Sequence, residues 1–472
     1  MESFLGAAFH LMSKVQRKLF GTNGIRGVPG EDLGLDFIAE MSQSIASFFS
    51  GEEGPVLIGH DVRNSSPVIA RTVLAGTLAS GKDAKEGGLA PTPAHQFAVR
   101  TLGYVGGIIV TASHNPPKYN GIKVVGRDGV EISRESEAEI ESIYFGRSFK
   151  RAEWNSLGKS GKETRVVENY IKGIMSQVSV SKIRERKFTV VLDIGNGAQA
   201  VAAPYLCEAL GCRVISINGQ SDGNFPGRGP EPTPSVLGDL SEAVKSYSAA
   251  FGVAYDGDGD RSLFCDEDGN IYWGDRTGSF LVDRLLARHE GGPVVTTVST
   301  SQLVDWVAKK HGAKVIWTTV GSVDVSRAMI TNSAPLGLEE NGGFFYGPHI
   351  PVRDGAMTTA LVLDALASDS DGKSFSEAIA ELPNFFQRKG KFECPNERKK
   401  EVMSKIEEEA RGAKIDRTDG LKIWTDDESW ILVRPSGTEP LIRIYAESGD
   451  EEKLGAMYER YEGILRSALH ST

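Results

Sequence analysis

The segment Asp256 to Arg261 reads DGDGDR and sets carboxylates at i, i+2 and i+4 with glycine between them. Glycine lets the backbone curl so that Asp256, Asp258 and Asp260 face inward together. An all-oxygen donor set suits a hard cation, and Mg²⁺ is the ion expected. An EF-hand is excluded, because position six of the loop is Arg261 in place of glycine and the flanks read as strands. The plainer alternative for DGDGDR is a solvated acidic turn. A second polar cluster, TASHNPPKYNGIK (Thr111 to Lys123), sets Ser113 beside His114 at the end of a strand, with Lys123 further on. It has no G-x-S-x-G elbow, so an acyl-transfer triad is not supported. The cluster is expected to form a polar, solvent-facing loop. LEENGG (Leu338 to Gly343) offers Glu339, Glu340 and Asn341, a set suited to hydroxyl recognition and also met in ordinary loops. RPSGTEP (Arg434 to Pro440) joins Arg434 to two hydroxyl side chains and exposed N–H groups in a tight turn, which suits a phosphate dianion. IGNGAQA (Ile194 to Ala200) has the spacing of a dinucleotide fingerprint, but the next strand ends at Asn218 without the acid that would hold a ribose. It reads as a tight strand-to-helix turn.

The elements that must carry these loops alternate. PVLIGHD (Pro55 to Asp61) is a strand, followed by a helix with Ser65 or Ser66 as N-cap, Pro67 in its first turn and Gly81 at its end. A helix from Pro93 and the strand GGIIVTASHN follow. KFTVVLDIGNGAQAVAAPYLCEALGCRVISI repeats strand, helix and strand, and a further helix and FGVAYD lead into DGDGD. PVVTTVSTSQLVDWVAKKHGAKVIWTTV does so again, leading through VDVSRAMIT to LEENGG. Each copy of one βαβαβ-like plan closes in a chemically loaded loop. The fold class expected is α/β: three similar domains with mixed, mainly parallel sheets, and a C-terminal α+β domain built from GLKIWT, SWILVRPS and PLIRIYAES between two helices. GKSGKET (Gly158 to Thr164) and SDSDGKS (Ser368 to Ser374) read as boundaries, giving an N-terminal extension 1–17 and domains 18–162, 163–268, 269–372 and 373–472.

The 472 residues carry 53 Lys+Arg against 63 Asp+Glu, a net charge of -10, so binding to nucleic acid by bulk electrostatics is not expected. With 40% hydrophobic and 25% charged residues the chain is an ordinary globular one, and no apolar run has the length of a membrane span. The first residues resemble a signal sequence with its basic and apolar parts in the wrong order, and Met12 is the alternative start. The four cysteines form no CxxC pair, which points to a reducing, cytoplasmic setting without disulfides or a thiolate metal site. Self-association is left open.

FGTNGIRG (Phe20 to Gly27), TASHNP, DGDGDR, LEENGG and RPSGTEP occur in that order. On these motifs the chain, from about Leu19 onward, resembles the α-D-phosphohexomutase superfamily of phosphoglucomutases, phosphomannomutases and phosphoglucosamine mutases, in its archaeal-type branch. The resemblance implies four domains around a central cleft. It implies a mutase that interconverts hexose 1- and 6-phosphates through phosphoserine and a hexose 1,6-bisphosphate, with phosphoglucosamine mutase the leading reading and glucose and mannose phosphates beside it. By resemblance Ser113 carries the phosphoryl group, and Asp256, Asp258 and Asp260 hold Mg²⁺ with the phosphoserine oxygen. Lys123, His114 and Arg26 handle protons and charge, and Arg261 stabilises the phosphoryl or sugar oxygens. Glu339 and Asn341 match the sugar loop, and Arg434, Ser436, Gly437, Thr438 and Arg443 the phosphate turn. Many relatives end the sugar loop in histidine where this chain has Gly343, so that histidine's role cannot be carried over. A Mg²⁺-dependent sugar phosphatase and a non-catalytic sugar-phosphate binding protein are the competing readings. The first would need a DxDx(T/V) aspartyl nucleophile that YDGDGDR does not supply, and the second needs neither Ser113 nor the acidic loop.

Overall fold

The computed structural model describes residues 19–286, 291–426, 428–436 and 440–470. The expected extension 1–17, and Gly437 and Thr438 of the phosphate turn, lie outside the described residues. Each of the first three sheets is built around three parallel strands with the first in the middle. Val56–His60 lies between Ala84–Leu89 and Gly106–Val110, Thr189–Asp193 between Arg213–Ile217 and Phe251–Tyr255, and Val294–Thr297 between Val315–Thr318 and Leu336–Leu338. In each sheet the third parallel strand is then followed by an antiparallel return: Asn120–Gly126, Ser262–Asp266 and Phe344–Tyr346. The short strands Ile25–Gly27 and Ser160–Lys162 close the two edges of the first sheet. The fourth sheet is wholly antiparallel, in the order Phe386–Glu393, Leu441–Ser448, Ser429–Pro435, Leu421–Asp426, Lys414–Asp416. Helices Lys399–Glu409 and Glu451–His470 share its apolar core. The polar loops therefore occupy one topological position. Residues 111–119, 256–261 and 339–343 each join a third parallel strand to its return, where a strand's carboxyl end leaves loops free to meet a ligand.

Helix Ser66–Ala79 forms as expected, with Pro67 in its first turn and left-handed Gly81 just past its end. Its capping does not follow expectation, because neither Ser65 nor Ser66 caps it through its side chain. Ser65 Oγ accepts from Asn120 Nδ2 at 2.8 Å and Ser66 Oγ donates to Asp61 Oδ1 at 2.6 Å, so both hydroxyls brace the neighbouring loop instead. Ile194 to Ala200 is the tight turn expected. Gly197 allows it, since a Cβ there would lie 2.9 Å from the carbonyl oxygens of Asp256 and Gly257. Helix Phe375–Ala380 buries Phe375, Ala378 and Ile379 in the core below the second and third sheets, and the fourth sheet begins only at Phe386. We therefore place the last boundary at 383–385, one helix after the expected 372/373.

One apolar cluster runs through the first three domains, from Leu57 and Phe97 through Leu192 and Phe264 to Leu338 and Leu363. The fourth has its own core, and it meets the third through a small cluster of Val298, Trp430, Leu432 and Tyr445. Lys422 is buried inside that seam, with Nζ 3.8 Å from the Trp430 ring centre, 4.6 Å from Trp317 and 5.3 Å from Trp424, and donating to Val298 O at 2.9 Å. Aromatic faces and one carbonyl solvate the cation where water cannot. Burial nevertheless pulls its pKa down to about 8, against the pull of Glu447. Trp430 also donates from Nε1 to Glu447 Oε1 at 3.0 Å. Trp430→Ala should destabilise the last domain by about 3–5 kcal/mol, the usual cost of truncating a buried tryptophan. Urea unfolding should then show an early phase for that domain, with the main transition unmoved. A single transition displaced as a whole would contradict this division of the core.

Candidate functional site

At the end of strand Gly106–Val110 the chain turns left-handed at Ser113, whose φ is 51°. A serine held there stores strain of about 1–3 kcal/mol and persists only where neighbours impose it. The neighbours are explicit. Ser113 N donates to Thr111 Oγ1 at 2.8 Å, and Arg63 collects the carbonyls of Ser113, Asn115, Pro116 and Tyr119 at 2.6–2.8 Å. Arg63 is itself fully buried and fixed by Asp61 at 3.1 Å. Ser113 is fully buried, which corrects the expectation of a solvent-facing loop; only Pro116 to Lys118 are exposed. The acidic loop 256–261 lies directly over it. A Cβ on Gly257 would stand 2.6 Å from Ser113 O, so glycine is required for the approach.

Asp256, Asp258 and Asp260 are buried, with one carboxylate oxygen of each within 4.8 Å of the others. Asp256 Oδ2 accepts from Ser113 Oγ at 2.8 Å and Oδ1 from Arg261 N at 3.1 Å. Asp258 Oδ2 accepts from Thr92 Oγ1 at 2.7 Å and Lys123 Nζ at 3.0 Å. Asp260 Oδ2 accepts from Lys123 Nζ at 3.2 Å and Arg353 Nη2 at 2.6 Å. Asp258 Oδ1 and Asp260 Oδ1 are buried without a hydrogen bond. Two orphaned carboxylate oxygens beside Ser113 are what an oxygen-loving divalent cation would satisfy, so the donor set fits Mg²⁺. Among the described residues this is the one cluster of its kind.

The charges are unequally shared. Burial, then Asp260 and Asp258, push Asp256 up to about 8. Burial would raise Asp258 as well, but Lys123 and Thr92 overcome it and hold that carboxyl below its usual range. Burial opposes the charge on Lys123, while Asp258, Asp260 and Glu131 more than restore it, so the ammonium is raised above its ordinary value. His114, its Nδ1 3.3 Å from Ser113 Oγ, is pushed well below 6.5 by burial and by Arg261, Arg26, Arg353 and Lys123. It is a neutral imidazole at pH 7. Arg26, on strand Ile25–Gly27, donates to Asn115 Oδ1, and burial lowers it to about 10.

The other expected residues fall into two groups. Glu339 is buried and accepts from Arg353 Nη1 at 3.3 Å, and Asn341 Oδ1 accepts from Gly343 N at 3.3 Å. Arg261, 6% exposed, has its Nε buried without a hydrogen bond 3.9 Å from Asp260 Oδ1. In the fourth domain Arg434 Nε donates to Asp419 Oδ2 at 2.6 Å, and Lys399 Nζ donates to Ser436 O at 2.6 Å. Arg434 stands opposite Arg443 across one strand pair, and Arg443 stands opposite Lys391 across the next. Reading the sequence alone passed over Arg63, Thr92 and Arg353. Arg63 follows a strand in HDVRN and Arg353 sits in IPVRD, single cations that each reach at least one partner 50 or more residues away, Ser113 O for Arg63 and Asp260 for Arg353.

Comparison with known proteins agrees with this architecture throughout. Models of the phosphoglucomutase/phosphomannomutase family match residues 17–151 (alpha/beta/alpha domain I), 168–269 (domain II), 273–386 (domain III) and 391–462 (C-terminal domain). A phosphoglucomutase/phosphomannomutase of Thermococcus kodakarensis is 43% identical over 457 residues, covering 96% of this chain and 99% of its own. A phosphoglucosamine/phosphogalactosamine mutase of Sulfurisphaera tokodaii is 43% identical over 454 residues, covering 95% and 99%. The crystal structure of a phosphoglucomutase/phosphomannomutase family protein from Burkholderia thailandensis superposes with a TM-score of 0.85 at 26% identity, covering 96% of this chain and 98% of that one. Four matched domains in order, and relatives spanning nearly the whole chain, show that it belongs to the phosphoglucomutase/phosphomannomutase family of the α-D-phosphohexomutase superfamily.

Proposed function

We propose that this chain is a phosphosugar mutase that interconverts hexose 1- and 6-phosphates through a phosphorylated Ser113, with glucosamine phosphate its first substrate and glucose and mannose phosphates beside it. The observation that carries the reading is Ser113 Oγ, buried and strained, 2.8 Å from a carboxylate of the acidic loop. A binding protein has no need of that serine, and YDGDGDR lacks the DxDx(T/V) nucleophile of an aspartyl phosphatase. Relatives named for both hexose and hexosamine phosphates support the breadth. Four free, buried cysteines suit a cytoplasmic enzyme.

Phosphoryl transfer asks the protein mostly for position and charge neutralisation. Asp256, Asp258 and Asp260 would hold Mg²⁺ with an oxygen of the phosphoserine; when bound, the ion neutralises charge on the phosphoryl group. Lys123 is held as a cation, so we assign it to charge stabilisation rather than to proton transfer. His114 is neutral and adjacent, the better acceptor for the hydroxyl proton. As the sugar hydroxyl oxygen bonds to phosphorus and gives up its proton, the Ser113 Oγ–P bond breaks and the leaving serine oxygen takes a proton back, giving a hexose 1,6-bisphosphate and free serine. The bisphosphate then presents its other phosphate to Ser113 in the reverse step. Arg434, Arg443 and Ser436, with Gly437 and Thr438, would hold the phosphate that is not reacting. Arg434, Arg443 and Lys391 share one cross-strand row, which gathers cations where a dianion would be held.

Three outcomes test the reading. With catalytic hexose 1,6-bisphosphate present, the chain should isomerise glucosamine, glucose or mannose 1-phosphate, and Ser113→Ala should abolish this with the circular dichroism spectrum unchanged. Phosphate release without isomerisation would favour the phosphatase. Arg434→Ala should weaken apparent substrate affinity by roughly tenfold to a hundredfold, since a hydrogen bond to a charged group contributes about 1.5–3 kcal/mol. Mg²⁺ affinity should be unchanged, and an effect on Mg²⁺ alone would refute the role. Burial and the neighbouring aspartates raise Asp256 to about 8, so in the unphosphorylated chain Mg²⁺ binding is expected to displace a proton from the acidic loop. Its affinity should therefore rise by about tenfold per pH unit up to that value and then level off. A flat calorimetric affinity from pH 6 to 8 would contradict this proton displacement.

A further inference from the structure

Gly343 is not needed for its backbone, since it lies outside the left-handed region that the loop's Gly342 adopts. It is needed for space. A Cβ at 343 would stand 2.5 Å from Arg353 Cδ, 2.9 Å from Arg353 Cγ and 3.1 Å from Glu339 Oε2. The Arg353 side chain therefore crosses the end of the sugar loop through the room the glycine leaves. Its backbone is fixed at the end of strand Ile350–Arg353, directly before Asp354, which caps the following helix by accepting from Met357 N at 2.9 Å. Its guanidinium, 3% exposed, donates from Nη2 to Asp260 Oδ2 at 2.6 Å and from Nη1 to Glu339 Oε2 at 3.3 Å. With the Asn23 amide donating to Thr22 O at 2.7 Å, the amide oxygen accepts from Arg353 Nη2 at 3.2 Å. One planar fork thus joins Asn23 of the first domain, the metal loop of the second and the sugar loop of the third.

We propose that Arg353 is a positioning residue that couples the sugar loop to the metal loop, and that position 343 is glycine so that Arg353 can make this bridge. The inference rests on the mutase reading for its effect on turnover. The bridge sets Glu339 relative to Asp260, and so sets the sugar relative to the phosphoryl group. It also places a positive charge on Asp260 Oδ2, beside the unpartnered Oδ1 that a divalent cation would take, and so opposes that cation electrostatically. Lysine cannot replace it, because a single ammonium does not span two carboxylates with planar geometry.

The sign of the effect separates coupling from mere support. In the full-length chain without substrate, Arg353→Ala should bind Mg²⁺ about fivefold or more tightly, because a competing cation is gone, while its turnover falls. Arg353→Lys should keep the parent's Mg²⁺ affinity but not its KM. Gly343→Ala should repeat the Arg353→Ala pattern, and in the double variant the second substitution should add nothing to either readout. Mg²⁺ affinity falling together with melting temperature in Arg353→Ala would overturn the proposal, as would additive effects of the two positions. A parent chain that binds Mg²⁺ with this pattern but isomerises no sugar phosphate would refute the mutase reading and leave the bridge intact.

Discussion

Three carboxylates buried within one six-residue loop are the constraint on which the rest of this structure depends. Removing even one ion from water costs several kcal/mol unless opposite charge and hydrogen bonds replace the solvent. The loop cannot supply that replacement alone. Lys123 comes from the return strand of the first sheet, Arg353 from the last strand of the third, and Thr92 from a helix start in the first. The compensation therefore assembles only when the first three domains are docked. Their shared apolar core provides the docking energy that the polar site does not.

The repeated plan explains how three loops of different chemistry reach one place. In each sheet the reactive loop follows the third parallel strand and precedes its antiparallel return, so its position is set by topology and its chemistry is free to vary. One copy holds a strained serine, one the carboxylates and one the acidic sugar loop. Glycines serve as spacers where two loops touch. Gly257 lies against Ser113, and Gly343 lies against Arg353, each with less than 3 Å for a Cβ. The first close approach concentrates negative charge beside the serine, and the second admits the cation that offsets it.

This also marks what a sequence can disclose. The alternation of strand and helix, and the loops that close each copy, were legible because hydrophobic period and loop composition are local properties. Ser113 and the three aspartates were legible for the same reason, as dense polar runs at strand ends. Arg63 and Arg353 were not. Each is one cation in a short segment, and part of what it holds, Ser113 O for Arg63 and Asp260 for Arg353, lies 50 and 93 residues away. The burial of Ser113 was missed because the segment around it is polar, whereas its cover comes from residues of another domain. We place the last boundary beyond 372 because, although SDSDGKS is a polar turn like a linker, the helix after it has Phe375 and Ile379 to bury and returns to the core.

The fourth domain stands apart energetically. Among the described residues it shares no large apolar core with the other three. Its seam with the third is a small aromatic cluster around Lys422, joined by hydrogen bonds such as Val320 N to Asp419 and Gln302 N to Glu447, at 3.0 and 2.9 Å. A small, polar seam of this kind costs less to part than a continuous core. Asp419 is shared between that seam, through Val320, and the phosphate turn, through Arg434. Any anion that draws Arg434 from Asp419 therefore acts on the domain contact as well. A reaction whose intermediate must present first one phosphate and then the other needs a holder that can let go without disturbing the charged centre. The division of the core gives the fourth domain its own apolar cluster, apart from the one that the first three share around the carboxylates.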